Sequence, residues 1–469
     1  MDDRAFPSRL SASDSLMWRI ESDPVLRSPI LVVGLLDRSP PPDRLEAAVE
    51  RAAAALPRLR QRIVPPPLGV GRPRWEDAGE PSLAHHVRRV RAAGDDLDSV
   101  LEVAQPDAVT AFDPARPPWA LTLVDGLAGG RAAFVLRFHH AITDGVGGIE
   151  IAHLLFDRTR NTRGAATTTR SPATAGTGDN PSLPWVARAA AGGAARLARA
   201  AVDAARRPGD VLVTPVRMGR SAARLISPSG GGSPELAGRS LDRWLAATER
   251  PLERVRAAAR ATGGTVNDVL LAAVAGALSS YHREQGRPVP AVRVTMPISI
   301  RRPDDHIGGN RFVPARFTLP VDDPDPRARV QIAGAIVRGW RAEPALGASN
   351  LIAAGLNLLP QSVVTRLFGD MLRSIDVDVV DVPGLDRSAY LGGSRLDRLW
   401  AFAPPTGAAL SITLVSHGAT ACVGLACDRL AVTDPELMAT CLDRALDELI
   451  SLGRSQATAA RRTAKRRSA

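Results

Sequence analysis

The alternation of apolar and polar positions predicts mixed α/β structure in the first third of the chain. Short apolar runs are typical of strands, and longer segments with apolar residues three or four apart are typical of helices. Strands are predicted at 30–36, 119–127 and 131–140, and helices at 44–56 and 146–157. The turn between the last two strands falls on Ala128-Gly129-Gly130, where two consecutive glycines favour a tight connection.

A similar pattern returns after residue 239. Helices are predicted at 250–262, 267–286 and 434–450, and strands at 291–300, 311–320, 409–418 and 420–428. The intervening sequence differs in composition. Residues 158–180 are rich in Thr, Ser, Gly and Arg, which favours a flexible linker, and residues 185–210 follow as an Ala/Arg helix.

The length of 469 residues exceeds one ordinary domain. We therefore expect an α/β (α+β) protein of two similar halves, with mixed sheets flanked by helices and a long crossover between them. The predicted divisions are an N-terminal half at 1–158, a linker and crossover helix at 159–238, a C-terminal half at 239–452 and a basic, disordered tail at 453–469.

Charge and cysteine content narrow the possible functions and cellular compartments of the protein only slightly. The net charge is +11, but the cations are nearly all arginine and the aromatic content is 4%, without the aromatic interleaving of a nucleic-acid surface. Three cysteines without metal-ligand spacing favour a reducing compartment. With no leader or membrane-spanning run in the pattern, we expect a cytoplasmic protein, either free or peripheral on the inner face of the plasma membrane.

The stretch HHAITDG, residues 139–145, carries the candidate chemistry. If the strand at 131–140 runs through the histidine pair, His139 and His140 point to opposite faces, so that one faces the reactants and the other packs behind. Gly145 permits close approach of the backbone to a substrate or another segment. Asp144 has two possible roles, in catalysis or as the N-cap of the following helix.

A histidine in this position suits acyl transfer to an alcohol. The hydroxyl must lose its proton as it attacks the acyl carbonyl, and a neutral imidazole can accept that proton. The sequence contains no G-x-S-x-G elbow, so no serine nucleophile is predicted.

The H-H-x-x-x-D-G motif resembles that of the chloramphenicol-acetyltransferase-like fold. Several further segments, in the same order, resemble the bacterial wax ester synthase/diacylglycerol acyltransferase family over nearly the full length. These segments are LSASDSLMW (10–18), RPPWALTLVDGL (116–127), NDVLLAAVAGALSSYHREQG (267–286) and VTMPISIRRPDDHIGGNRFVPARFTLP (294–320).

The resemblance implies a role for each matching residue. His140 is then the general base, His139 supports the motif, and Asp144 holds the local structure, with Arg301 as its candidate ion-pair partner. Other matching positions are expected to shape the substrate channel or support the site. They are Pro117 and Trp119 of the P-L-W segment and the N-D pair Asn267 and Asp268, of which either could instead cap its helix.

The resemblance also implies the substrates. We expect acyl-CoA as co-substrate, diacylglycerol or a long-chain alcohol as acceptor, and neither a metal nor another cofactor. The acyl-CoA and the acceptor would reach His140 from opposite ends of a tunnel between the halves. A membrane or lipid-droplet surface is a further candidate partner, through the Ala/Arg helix and the basic tail, although a solvated connector fits that helix equally well.

Two departures from the family pattern bear on the acceptor. Pro118 replaces the leucine of P-L-W, and Asp381 replaces an asparagine in Val380-Asp381-Val382-Pro383-Gly384-Leu385. A carboxylate on a channel strand would disfavour an apolar acceptor. The sequence therefore leaves open a polar or secondary-metabolite alcohol as acceptor, and a catalytically silent lipid-binding paralogue.

Overall fold

The computed structural model describes residues 7–66, 71–79, 83–160, 232–300, 310, 312–343, 353, 355–385 and 388–467. The described residues on both sides of 161–231 belong to one compact unit. The predicted linker and the Ala/Arg helix at 185–210 lie outside the described residues.

The helices and strands follow the mixed pattern that the sequence predicts. The helices are α1 (Ala12–Ile20), α2 (Pro42–Ala55), α3 (Leu83–His86), α4 (Leu97–Ala104), α5 (Gly145–Leu155), α6 (Leu252–Thr262), α7 (Val266–Glu284), α8 (Pro326–Arg341), α9 (Gln361–Arg373) and α10 (Pro435–Arg467). The first strands are β1 (Pro29–Leu36), β2 (Gln61–Val64), β3 (Arg74–Asp77), β4 (Val87–Arg91), β5 (Trp119–Asp125), β6 (Ala132–His139) and β7 (Arg243–Pro251). The remaining strands are β8 (Ala291–Ser299), β9 (Phe312–Pro320), β10 (Val377–Pro383), β11 (Tyr390–Leu391), β12 (Ser394–Phe402), β13 (Leu410–His417) and β14 (Thr420–Asp428).

The first large sheet has the order β11-β12-β1-β6-β5-β4. Its central strands are buried on both faces, which explains why they read as continuous apolar runs. In β6, Phe134 and Phe138 join one apolar core while Ala133 and Val135 join another on the opposite face. The alternation predicted for this strand is thus present in the structure.

The second large sheet has the order β7-β14-β13-β10-β8-β9, in which β10 runs parallel to β8 and β13. Helix α7 covers one face of it. That helix is apolar on nearly all sides and almost completely buried, because it packs against the sheet as well as against α8 and α10.

Strand β12 was not predicted, and it changes the division into halves. Although it lies in the C-terminal part of the chain, it pairs antiparallel with β1, so that Val33 faces Trp400 and Leu31 faces Phe402. Its sequence SRLDRLWAF mixes charged and apolar residues, and a bulge at Leu35/Leu36 interrupts the pairing, which obscures the strand period. The two halves therefore share one sheet.

Two other boundaries differ from the prediction. Residues 250–251 belong to β7, and the helix predicted at 250–262 begins at Leu252. The tail predicted to be disordered is helical to Arg467, as a continuation of α10. The reason is that Ala, Arg, Lys and Gln, which dominate this tail, all have high helix propensity.

Within the described ranges no single helix is long and apolar enough to cross a membrane, and α6 with α7 meets the length and composition test only as a pair bent by 90°.

Candidate active site around His140

Strand β6 ends at His139, and the two histidines then differ in environment. His139 is completely buried, whereas His140, the first residue after the strand, is only half-buried. The difference between the two positions was predicted. The strand ends at His139 and does not continue through His140 as supposed, but the turn that follows also places the two histidines in different surroundings.

His139 is fixed by contacts at both ring nitrogens. Its Nδ1 atom accepts a hydrogen bond of 2.8 Å from the backbone N–H of Ala141, which leaves the ring proton on Nε2. Nε2 lies 2.8 Å from Glu21 Oε1, a polar contact rather than an aligned hydrogen bond. Glu21 Oε1 also accepts the Ser28 N–H at 2.6 Å. His139 therefore joins the end of β6 to the segment before β1.

The backbone of His140 is held on both sides. Its N–H donates to the Ser28 carbonyl at 3.1 Å, and its own carbonyl accepts a hydrogen bond of 2.9 Å from Asn310 Nδ2. The ring packs against Phe312, with a centroid distance of 5.4 Å. Burial lowers the pKa of His140 below its ordinary value, an effect that Asp144 opposes. The imidazole is therefore neutral at pH 7, as a general base requires.

Asp144 is the N-cap of α5, and its carboxylate accepts the Gly147 N–H at 2.8 Å. The side chain is 4% exposed. The N-cap alternative for Asp144 is therefore confirmed, and Gly145 is the first residue of the capped helix. Arg301, the candidate ion-pair partner, lies outside the described residues, so that pairing stays a prediction.

Asn310 and Asp14 form a buried pair that the sequence did not single out. Asn310 donates to Asp14 Oδ1 from Nδ2 at 2.6 Å and from its backbone N–H at 3.2 Å. Burial raises the pKa of Asp14, against the hydrogen bonds from Ser11 and Asn310. Both residues lie in segments that carry the family resemblance, but nothing in a single sequence indicates that these segments meet.

Trp119 begins the neighbouring strand β5 opposite the end of β6, and Pro117 lies just before it. Both are buried, and Trp119 donates from Nε1 to the Leu59 carbonyl at 2.8 Å and stacks on His86 at a ring distance of 4.3 Å. Between them, the carbonyl of Pro118 accepts the His139 N–H at 2.9 Å. The proline in place of the family's leucine at position 118 preserves this hydrogen bond, because the bond uses only the backbone carbonyl.

The N-D pair lies at the start of α7 in the second half. The N-cap is Thr265 rather than either member of the pair, and Asp268 completes a capping box by accepting the Thr265 N–H at 2.8 Å. Asn267 does not cap. Its Nδ2 atom is buried and has no hydrogen-bond partner among the described residues.

Asp381 lies on β10, the strand of the second sheet that packs against α5. The residue is exposed, yet the surrounding protein raises the pKa of its carboxyl to about 6 by desolvation, opposed by Arg341. By strand alternation Asp381 shares its face of β10 with Val377 and Val379, and its cross-strand partner Leu414 belongs with them to the core around α7. The role of Asp381 in a substrate channel stays a prediction.

The described residues contain neither an activated cysteine nor a cluster of metal ligands. All three cysteines are buried and unpaired, and burial raises the pKa of Cys422 to about 11. No group of three or more His, Cys, Asp or Glu in the described ranges is arranged as metal ligands.

Comparison with known proteins assigns the fold and the family. Residues 10–270 match the wax ester synthase/diacylglycerol acyltransferase catalytic domain, and residues 308–450 match the WS/DGAT C-terminal domain. A protein of Mycobacterium tuberculosis H37Rv, assigned as a diacylglycerol O-acyltransferase, is 34% identical over 454 residues, which cover 94% of this chain and 92% of the relative. A second protein of that strain with the same assignment is 28% identical over 480 residues, covering 96% and 98%.

Solved structures agree on the fold. A wax ester synthase/diacylglycerol acyltransferase from Marinobacter aquaeolei VT8 superposes with a TM-score of 0.63 at 20% identity, covering 95% of this chain and all of that one. The first condensation domain of the CDA synthetase superposes with a TM-score of 0.59 at 20% identity, covering 95% and 96%. The predicted two-half, chloramphenicol-acetyltransferase-like architecture is confirmed. The chain belongs to the wax ester synthase/diacylglycerol acyltransferase family of acyltransferases.

Proposed function

We propose that this acyltransferase moves an acyl group from acyl-CoA directly to the hydroxyl oxygen of diacylglycerol or a long-chain alcohol, with His140 as the general base. The alcohol oxygen forms a bond to the thioester carbonyl while the imidazole takes the hydroxyl proton. Collapse of the tetrahedral intermediate breaks the carbon–sulfur bond, and the proton passes to the CoA thiolate. The products are a neutral ester and free CoA.

The observation that carries the proposal is the difference between the two histidines. The ring of His139 is enclosed and already in contact at both nitrogens, so it has no nitrogen available to a substrate. His140 keeps accessible surface, has a lowered pKa and is held by backbone hydrogen bonds on both sides. Only His140 of this pair combines a neutral imidazole with access to a reactant.

The direct test compares His140→Ala with His153→Ala. His153 is exposed on α5, close in sequence to the motif, and serves as the matched control. With acyl-CoA and hexadecanol or diacylglycerol, H140A should lose about 10²–10⁴-fold in kcat, the usual contribution of a general base, while H153A keeps wild-type turnover. Turnover by folded H140A equal to that of H153A would remove His140 from the mechanism.

A second candidate function is the same chemistry on a polar alcohol. It is motivated by Asp381, a carboxylate where the family pattern has an asparagine. A panel of diacylglycerol, hexadecanol and polar alcohols, each with the same acyl-CoA, separates the two. Acylation of the polar alcohols alone would replace neutral-lipid synthesis by this second function. A catalytically silent lipid-binding protein would acylate none of them.

A further inference from the structure

One face of the second sheet carries a row of polar residues. Arg316 of β9 pairs with Thr295 of β8, Thr295 is in register with Asp378 of β10, and Asp378 with Ser411 of β13. Residues in register across neighbouring strands point to the same face of a sheet. Four polar side chains from four consecutive strands therefore lie side by side.

This face is the one turned toward the first sheet. The residues that alternate with the row, such as Val294, Phe317 and Val377, belong to the core around α7 on the opposite face. The row itself continues through Ala426 to Leu245, and both of these belong to the apolar cluster that includes Leu31, Val33 and Trp400 of the first sheet. The row thus begins where the two sheets pack together and ends at Arg316 on the edge strand.

Arg316 is the unusual member of the row. It is 6% exposed, and no ion pair involves it among the described residues. Its Nη2 atom is buried without a hydrogen-bond partner there. Desolvation lowers the pKa of Arg316 to about 10. A buried guanidinium nitrogen without a partner is costly in a folded protein, so Nη2 has the capacity to bind a polar group of a ligand.

The other end of the row also has unused hydrogen-bonding capacity. Ser411 is 1% exposed, and its Oγ has no partner in the described part of the chain. Asp378 is half-buried, and desolvation alone raises the pKa of its carboxyl to about 8. Arg316 and Asp378 are separated by β8, and neither contributes to the pKa of the other. The row therefore offers a donor and an acceptor on either side of Thr295.

The row is aligned with the candidate catalytic base. Phe312, which packs against the His140 ring, lies four residues before Arg316 on the same face of β9. Four residues of a strand span about 13 Å. The positions between, Pro314 with its cross-strand partner Pro297, are apolar. A ligand along this face would have its reacting end at His140, then an apolar stretch, then the polar row.

We propose that Arg316, Thr295, Asp378 and Ser411 bind an amide- or hydroxyl-bearing chain whose reacting end lies at His140, and that this chain is the pantetheine arm of acyl-CoA. The proposal rests on the function proposed above. Amides and hydroxyls both accept from a guanidinium and donate to a carboxyl oxygen, which matches the row. The spacing favours the arm over a glyceride, because the ester groups of diacylglycerol lie only a few bonds from its free hydroxyl and cannot reach residues about 13 Å away.

Binding and kinetics of Arg316→Met and Asp378→Asn test the site. CoA is titrated into each variant by calorimetry, and KM is measured for palmitoyl-CoA and for hexadecanol. R316M should weaken CoA binding and raise the KM for palmitoyl-CoA about tenfold, as expected for a lost hydrogen bond to a charged group. D378N, which keeps the shape of the side chain, should weaken CoA binding and raise the KM for palmitoyl-CoA about threefold. The KM for hexadecanol should not change.

A truncated donor and a control variant make the outcome specific. Palmitoyl-N-acetylcysteamine lacks the distal part of the arm, so R316M and the wild type should use it equally well. Arg250→Met in β7 removes an arginine of the same sheet that pairs with Asp443 and Asp447, and it should leave every KM unchanged. A polar long-chain alcohol whose KM rises in R316M, with CoA binding unchanged, would identify the acceptor as the chain that binds and would overturn the assignment to pantetheine.

Unchanged CoA affinity and unchanged KM values in both folded variants would overturn the site altogether. The calorimetric titration with CoA, which involves no turnover, is repeated in a His140→Ala background. Loss of CoA affinity on adding R316M to that background supports the row even if H140A shows His140 to be dispensable, so failure of the site and failure of the general-base mechanism are distinguishable.

Discussion

The side-chain amide of Asn310 donates a 2.9 Å hydrogen bond to the backbone carbonyl of His140, and the same amide nitrogen is 2.6 Å from the carboxylate of Asp14. Helix α1, the segment that leads into β9 and the end of β6 thus meet at one nitrogen atom. The peptide that carries the proposed base is positioned by two segments that are distant in sequence from the motif.

Asn310→Ala should therefore lower kcat by up to about tenfold, the effect of one lost hydrogen bond, with little change in the KM of either substrate. The reason is that the His140 carbonyl loses its donor while the substrate contacts remain. Steady-state kinetics with both substrates varied, together with thermal unfolding, provide the measurement. A rise in KM without a fall in kcat would show that Asn310 serves substrate binding instead.

The lowered pKa of His140 predicts the acid limb of the pH profile. The base is active when neutral, so kcat/KM should stay constant down to the ordinary histidine pKa of about 6.5 and fall only below it. Asp144 opposes the shift, so Asp144→Asn should move the limb to still lower pH. Profiles of kcat/KM between pH 5 and 9 for wild type and D144N test this. An acid limb above pH 6.5 in the wild type would contradict the assignment of the limb to His140.

The same shift makes stability depend on pH. Because the folded-state pKa of His140 lies below the unfolded value, the unfolded chain binds the proton more readily. The free energy of unfolding should therefore decrease as the pH falls below about 6.5, and His140→Gln should reduce that dependence. Urea unfolding at pH 7.5 and pH 5.5 for both proteins measures the difference. If the free energy of unfolding changes equally between the two pH values in wild type and H140Q, the prediction is contradicted.

Two substitutions of Asp144 separate its capping role from its charge. Asp144→Ala should lower the free energy of unfolding by about 1 kcal/mol because α5 loses its N-cap, whereas D144N should remain close to wild type because Asn caps equally well. Urea denaturation gives both values. A D144N protein as unstable as D144A would mean that the carboxylate charge, rather than the cap, stabilises this helix end.

Asp381→Asn should stabilise the protein at alkaline pH but not at acidic pH. Desolvation raises the folded-state pKa of Asp381 to about 6, above its ordinary value, so ionisation of this carboxyl opposes folding as the pH rises from 4 through 6. Melting temperatures of wild type and D381N should coincide near pH 4 and diverge by pH 8, with D381N higher. If D381N also prefers hexadecanol over polar alcohols more strongly than the wild type does, Asp381 contributes to acceptor choice.

The sequence was most informative where structure depends on local pattern. The alternation in β6, the turn before it, the N-cap at Asp144 and the apolar helix α7 are properties of short segments, and each is present in the structure. The contact between Asp14 and Asn310 spans 296 residues and could not be predicted from one sequence. The polar row was equally hidden, because Arg316, Thr295 and Asp378 come into register only through the strand order of the second sheet.

The pairing of β1 with β12 has a consequence for the order of events during synthesis. Leu31 is made hundreds of residues before its partner Phe402 emerges from the ribosome. Until then the apolar β1 has one edge with unpaired backbone groups, which is a template for aggregation. A nascent or truncated chain that ends before β12 should therefore depend on chaperones, and the N-terminal half should not fold when it is expressed alone.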